Sequence, residues 1–216
     1  MSEQPLQEQA LAGTAPAAGA GLTRKAARTR QRILVAAAHE LAEHGYGGTS
    51  LRQVAAAAHL QLGSLYFHFA SKDELVAETM REGIDFALGL VSSALADLPA
   101  GASQRERLRT AVTAHLEALH ASQDRAAAVV RMAFTLPPAL RQAQAVHERR
   151  YGRLWLEVLR DAQQEGAVDP QLDTRALRDV LFGAMNVTLG SAHGFDAADD
   201  RIVETILHLL LRGNYA

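Results

Sequence analysis

Residues 50–72, SLRQVAAAAHLQLGSLYFHFASK, hold two short helical segments with room for only a tight turn between them, and a third helix start follows at once. Ser50 and Gln53 make the S-x-x-Q pattern of a capping box, which satisfies backbone donors that a helix N-terminus leaves unpaired. Leu51, Val54, Ala55 and Ala58 then follow helical spacing. The run breaks near His59, and a second short helix carries Leu62, Leu65 and Tyr66. Two helices joined so tightly, with alanine where they must touch, suit a helix-turn-helix that lays its second helix in the major groove of DNA.

Charge distribution agrees with that expectation. The 216-residue chain has a net charge of −2, so it is not basic as a whole. Residues 24–72, however, carry Arg24, Lys25, Arg28, Arg30, Arg32, Arg52 and Lys72 against Glu40 and Glu43, a net charge of +5. The residues beyond them sum to −5. A basic segment joined to an acidic body is the pattern expected of a phosphate-binding head on a second, non-DNA-binding unit.

Composition closes off other classes. There is no cysteine, which removes disulfides, thiolate chemistry and cysteine-based zinc sites. The nine histidines include no H-x-x-H or H-E-x-x-H spacing, so no metal site is expected. No nucleophile elbow, phosphate-binding glycine loop or paired carboxylate points to an enzyme, and no cofactor is called for. No apolar run is long enough to cross a bilayer. The N-terminus has no basic residue before Arg24 and no apolar centre, unlike a secretion signal, so the expected location is cytoplasmic, without a membrane partner.

The rest of the chain reads as all-α. Residues 1–23, rich in Ala, Gly, Pro and Gln, are expected to be a disordered tail. A first helix is predicted from about Arg24 to His44, with Ile33, Leu34, Ala37, Ala38 and Leu41 on one face and Gly45 at its end. Ser71 and Glu74 predict a helix from Lys72 to about Ala96, and Ser103 with Glu106 predicts another. Pro138 suits the first turn of a helix reaching toward Gly166, and Asp173 suits the cap of the next. A break from Gly190 to Asp196 precedes a last helix, about Asp199 to Arg212. The division follows: 1–23 tail, 24–70 three-helix DNA-binding head, 71–216 helical effector-binding and dimerisation domain.

Over about residues 28–80 the sequence resembles the TetR family of transcriptional regulators. The resemblance rests on a leading helix ending in H-G-Y, the run T-S-L-R-Q-V-A, and S-L-Y-F-H-F-x-S-K-D-E-L. Further on, TLPPALR, FGAMNVT and LLLRG look like members that sense CoA thioesters or other bulky apolar acids. The family usually has glycine in the turn where this chain has His59, a residue that enters the left-handed region more readily than β-branched ones. It often has Ser-Lys where this chain has Gln61-Leu62, so operator contacts here should be less ionic and more apolar.

Candidate DNA contacts follow from residue type and from the resemblance. Gln61 can bond a base edge, Leu62 can touch a thymine methyl, Gly63 permits close backbone approach, and Ser64 suits a phosphate or a base. The resemblance implies that Tyr66 and His68 bond phosphates and fix register. Lys72 lies at a helix N-terminus that already favours an anion. Thr49 and Arg52 would meet the opposite backbone, and Lys25 with its arginine neighbours a nearby phosphate or the minor groove. Leu65 and Phe69 read as core; Leu62, Tyr66 and Phe67 have a core reading beside the surface one.

One such helix reads few base pairs, so a homodimer on double-stranded operator DNA is expected, its reading helices about 34–36 Å apart. The last two helices, with Gly183 and Ala184 in one and a leucine run in the other, are the candidate four-helix dimer interface; intramolecular core is the alternative. A regulator also needs a small-molecule effector that binds two conformations unequally. His115, Arg131, Met132, Phe134, His147, Tyr151, Trp155, Phe182, Met185 and Asn186 are the candidate cavity residues, each with a plain core reading as well. The expected function is a repressor released by a bulky apolar molecule such as an acyl-CoA or aromatic acid. An activator or architectural factor whose body lacks any ligand site is the other reading.

Overall fold

The computed structural model describes residues 17–190 and 201–211, and among these it contains helices and no strand. Helix α1 (Ala17–Gly48) is described from upstream of the expected start at Arg24; residues 1–16 of the expected tail lie outside the described residues. Gly45 interrupts α1 with φ 69° and ψ 179°, a conformation essentially reserved for glycine, and this is where the sequence predicts an end. Helix α2 (Leu51–Ala57) begins at Ser50, whose Oγ accepts the Gln53 N–H at 3.3 Å. Helix α3 (Leu62–His68) follows after a turn that holds His59 at φ 53°, the one non-glycine residue with positive φ among the described residues. The turn closes on backbone bonds from His59 N to Ala56 O (3.0 Å) and Leu60 N to Ala55 O (2.8 Å).

The same end chemistry sets the later elements. Helix α4 (Lys72–Ala96) is capped by Ser71, which accepts from Glu74 N at 3.1 Å. Helix α5 (Gln104–Ala121) starts with a full reciprocal box: Ser103 N donates to Glu106 Oε2 at 2.8 Å and Glu106 N donates to Ser103 Oγ at 3.3 Å. Helix α6 (Gln123–Thr135) ends before the proline pair, and α7 (Pro138–Gln164) has Pro138 at its first turn, where the missing N–H costs little. Asp173 Oδ1 accepts from Arg175 N (3.0 Å) and Ala176 N (2.8 Å) to start α8 (Thr174–Asn186), which a 3-10 turn (Val187–Gly190) extends. Helix α9 is Arg201–Leu210. The expected break after Gly190 and the expected helix start at Asp199 lie outside the described residues.

Three apolar clusters hold these helices. Ile33, Leu34, Val54, Leu65 and Phe69 bring α1, α2 and α3 together, and Leu75 adds the first turn of α4 to this head. A larger core joins α4, α5, α7, α8 and α9 through residues such as Val91, Leu108, Leu116, Trp155, Leu159 and Leu207. Between them lies a junction of Leu41, Val76, Met80, Ala128, Met132 and Leu136, where α1 and α4 meet α6. Each fully buried large side chain contributes about 1.5–3 kcal/mol relative to exposure. The head is therefore seated on the body through a packed joint, and α6 is one face of that joint.

Candidate nucleic-acid interface and ligand cavity

Helix α3 turns Leu65 into the head core and leaves Gln61, Gly63, Ser64, Tyr66 and Phe67 exposed, with His68 half-buried at its end. Leu62 is half-buried and packs against that core, which takes part of its side chain away from an outer partner. Phe67 is 83% exposed and its ring lies edge-on to His68, with centroids 5.4 Å apart. At 100° per residue it falls opposite Phe69 and Leu65, so the helical period, followed through one more turn, separates it from the core.

Thr49 corrects an expectation. Its side chain is buried, and its hydroxyl lies 2.8 Å from Gly45 O and 3.0 Å from Glu40 O. It satisfies carbonyls at the interrupted end of α1 and has no outward surface for a phosphate. Arg52 is exposed on α2, while Lys25, Arg24 and Arg28 are exposed on α1. Arg30 and Arg32 are committed within the protein: Arg30 bonds Glu78 at 2.6 Å and lies 4.9 Å over the Phe69 ring, and Arg32 donates to Ala58 O. Lys72 donates to Tyr46 O and lies 4.2 Å over the Tyr46 ring, whose hydroxyl donates to Asp73 at 2.5 Å. The ammonium has three donors, so two remain for another acceptor.

The body contains a cavity of about 390 Å³ walled by α4, α5, α6, α7 and α8, a volume in the range of small-molecule sites. Its apolar wall includes Ile84, Phe86, Leu119, Val129, Val130 and Phe182. Gly83 permits the close approach of α4 and α6, since a Cβ there would lie 2.7 Å from Val129 Cγ2. Arg125, Arg149 and Arg178 also line it, with Glu148 and Asp179. None of these charged residues stands out in the sequence, because only the packing of separate helices brings them to one opening.

His115, Tyr151, Phe182 and Asn186 line this cavity. The His115 ring is 4% exposed, and its Nδ1 is 2.5 Å from the Tyr151 hydroxyl. Its centroid is 5.4 Å from that of Phe182 with the planes 7° apart, and Trp155 stands edge-on to both rings. Burial pushes the imidazole pKa down to about 4, the nearby Asn186 amide pulling the other way. Burial likewise raises the Tyr151 phenol above its ordinary value. Both groups are therefore neutral near pH 7.

The remaining cavity candidates lie elsewhere. Trp155 and Met185 are fully buried in the body core behind the wall. Met132 is buried at the head–body junction. Arg131 is exposed and donates to Ala42 O of α1 at 2.8 Å. His147 is half-buried, 4.0 Å from Asp85 on α4. The Phe134 side chain lies outside the described residues. Helix α6 thus presents Ala126, Val129, Val130 and Ala133 to the cavity, and Ala128, Arg131 and Met132 to α1 and α4.

On α8, Ala176, Val180, Gly183, Ala184 and the following Val187 form an exposed small-apolar stripe, and Leu209 extends the apolar exposure onto α9. Val180, Val187 and Leu209 are 70%, 71% and 74% exposed. Among the described residues no helix is long and apolar enough to cross a membrane, and no group of three or more metal-binding side chains forms.

Comparison with known proteins adds the family. Residues 33–79 match the profile of bacterial regulatory proteins of the tetR family, and residues 101–190 match that of the tetracyclin repressor-like C-terminal domain. The chain is 31% identical over 168 residues to the HTH-type transcriptional repressor KstR2 of Rhodococcus jostii (strain RHA1), covering 72% of this chain and 78% of that protein. The fatty acid degradation regulator FadR from Bacillus halodurans aligns with a TM-score of 0.72 at 23% identity, covering 87% of this chain and 96% of that one. FadR from Bacillus subtilis, solved in complex with stearoyl-CoA, aligns with a TM-score of 0.70 at 21% identity, covering 86% and 99%. These two likenesses bear on the fold; together with the profile matches and the KstR2 identity, they complete the case that the chain belongs to the tetR family of bacterial regulatory proteins.

Proposed function

We propose that this protein is a homodimeric repressor that binds operator DNA through α2 and α3 and is released when a bulky, largely apolar molecule, an acyl-CoA or an aromatic acid, enters the cavity. Residues 24–70 act as the reading head and 71–216 as the sensor and dimerisation unit. Gln61, Gly63, Ser64 and the outer edge of Leu62 read bases, while Arg52, Tyr66, His68, Lys72 and Lys25 hold phosphates. The exposed stripe of α8 and Leu209 of α9 pack against their counterparts in a second copy.

The observation that carries this reading is the double role of α6. Its Ala126, Val129, Val130 and Ala133 border the cavity, and its Arg131 and Met132 hold α1 of the head. A ligand that needs α6 displaced binds one arrangement better than the other, and the same displacement changes the seating of α1 and the spacing of the two heads. Arg125, Arg149 and Arg178 at the same cavity favour a ligand with an anionic end. The curated relative is a repressor, and one of the structural relatives is solved with stearoyl-CoA, which supports the sign of the response and the ligand class.

The test is binding to DNA from beside its own gene, followed by fluorescence anisotropy at several salt concentrations. The logarithm of affinity should fall linearly with that of salt, by about 0.9 per phosphate contacted. Gln61→Ala should change the ranking of operator variants, and Arg52→Ala should weaken all of them alike. A flat salt response, or an unchanged ranking for Gln61→Ala, overturns the assignment of α3.

A further inference from the structure

We propose that His115, set by Tyr151, accepts only a neutral acceptor oxygen as its ligand partner, so that the effector carries a carbonyl group on its buried, otherwise apolar portion. This rests on the effector-cavity reading and narrows it to oxo-substituted ligands.

The argument starts from one buried atom. His115 Nε2 has no hydrogen-bond partner in the protein, although the residue is 96% removed from solvent and lines the cavity. Buried polar atoms are nearly always paired, so one left open on a cavity wall is a recognition point. Its other nitrogen decides what it recognises. Nδ1 meets the Tyr151 hydroxyl, and a phenol beside a ring nitrogen donates its proton there. That bond holds Nδ1 as the acceptor and places the ring proton on Nε2. The atom left open is then a donor, which requires an acceptor on the ligand. Phe182 and Tyr151 lie nearly parallel to the imidazole, at centroid distances of 5.4 Å and 5.8 Å, and restrict its rotation. The ring is neutral near pH 7, its pKa lowered to about 4 by burial, so it offers a neutral donor rather than a charge for a carboxylate. Asn186, on the same wall, supplies a second amide beside the same position.

Tyr151 is a positioning residue in this scheme and His115 the contacting one. A methylene in place of the carbonyl leaves the Nε2 proton buried against hydrocarbon, a mismatch that corresponds to about a ten- to hundred-fold loss of affinity.

The experiment uses the full chain and matched probes: octanoyl-CoA and its 3-oxo, 5-oxo, 7-oxo and corresponding hydroxy derivatives. Trp155, the single tryptophan, stands 5.8 Å from His115 and 5.6 Å from Phe182, so its fluorescence reports binding at this wall. The expected result is that at least one oxo ester binds the wild type about ten-fold or more tightly than octanoyl-CoA. His115→Phe should abolish that preference while still binding octanoyl-CoA. Tyr151→Phe, a milder change if the first variant melts early, frees the imidazole to present either nitrogen and should narrow the gap between oxo and hydroxy esters. Loss of packing alone would weaken all esters together and leave that gap in place. Equal binding of octanoyl-CoA and every oxo ester by the wild type overturns the proposal and leaves the cavity reading intact, as does an oxo preference that survives in His115→Phe. Failure of every thioester to bind overturns the acyl-CoA reading, and this proposal with it.

Discussion

His115 gives the protein a calculable sensitivity to mild acid. In the unfolded chain its imidazole titrates near its ordinary pKa of 6.5; in the folded protein burial holds it at about 4, with Asn186 opposing. Between those values the unfolded state binds a proton that the folded state excludes, so stability is complete above about pH 6.5 and is lost as pH falls toward 4. At about 1.4 kcal/mol per pH unit, the full loss is about 3 kcal/mol, a large fraction of a typical folding free energy. His115→Phe removes the titrating group. It also leaves the Tyr151 hydroxyl without its partner, which costs about 1–3 kcal/mol at every pH. The slope, not the absolute stability, is therefore the diagnostic quantity. Urea unfolding at intervals from pH 7.5 to 4.5 should show the wild type losing stability faster than the variant, so that the two curves converge in acid. Parallel curves would show that His115 is protonated as easily when folded as when unfolded, and would refute the buried neutral imidazole on which the cavity's chemistry depends.

Further outcomes follow from other sites. His59→Gly relieves a side chain held at φ 53° and should raise stability by about 0.5–1 kcal/mol in urea unfolding, the relief exceeding the added chain entropy. Glu78 is held at about pKa 2 by its bonds to Arg81 and then Arg30, against the desolvation that opposes them. Its contribution is present above about pH 4.5 and is lost as pH falls toward 2; allowing for the partly exposed guanidiniums it amounts to about 1–2 kcal/mol, and Glu78→Gln should remove that acid-labile part from a thermal-melt series. Val180→Asp places a charge in the exposed stripe of α8 and should convert a dimer to monomer in sedimentation velocity without lowering helix content.

Helix ends were the most legible part of the sequence, because each is decided by a few local atoms. Ser71, Ser103, Pro138 and Asp173 sit where side-chain caps and a missing N–H have physical meaning, and the helices start beside them. The left-handed backbone at His59 was readable for the same reason: a tight turn needs it, whatever residue is present. The direction of a side chain at a helix junction is less local. Thr49 has a phosphate-binding side chain, yet the kink at Gly45 leaves carbonyls that turn it inward. Arg30 and Arg32 look like members of a basic patch until Glu78 and Ala58 O arrive from other helices. Met132 and Trp155 share the apolar spacing of the cavity wall but face the opposite side of it. Periodicity identifies a buried face; it does not say whether that face meets a core or a cavity.

The central claim is that occupancy of the cavity and occupancy of the operator are coupled through α6. The direct measurement is operator affinity by fluorescence anisotropy, with and without a saturating CoA thioester shown by Trp155 fluorescence to bind. The account predicts a loss of about five- to hundred-fold in operator affinity, with a smaller loss in Arg131→Ala, which lacks the bond from α6 to Ala42 O. An operator affinity that stays the same while the cavity is demonstrably filled would contradict it.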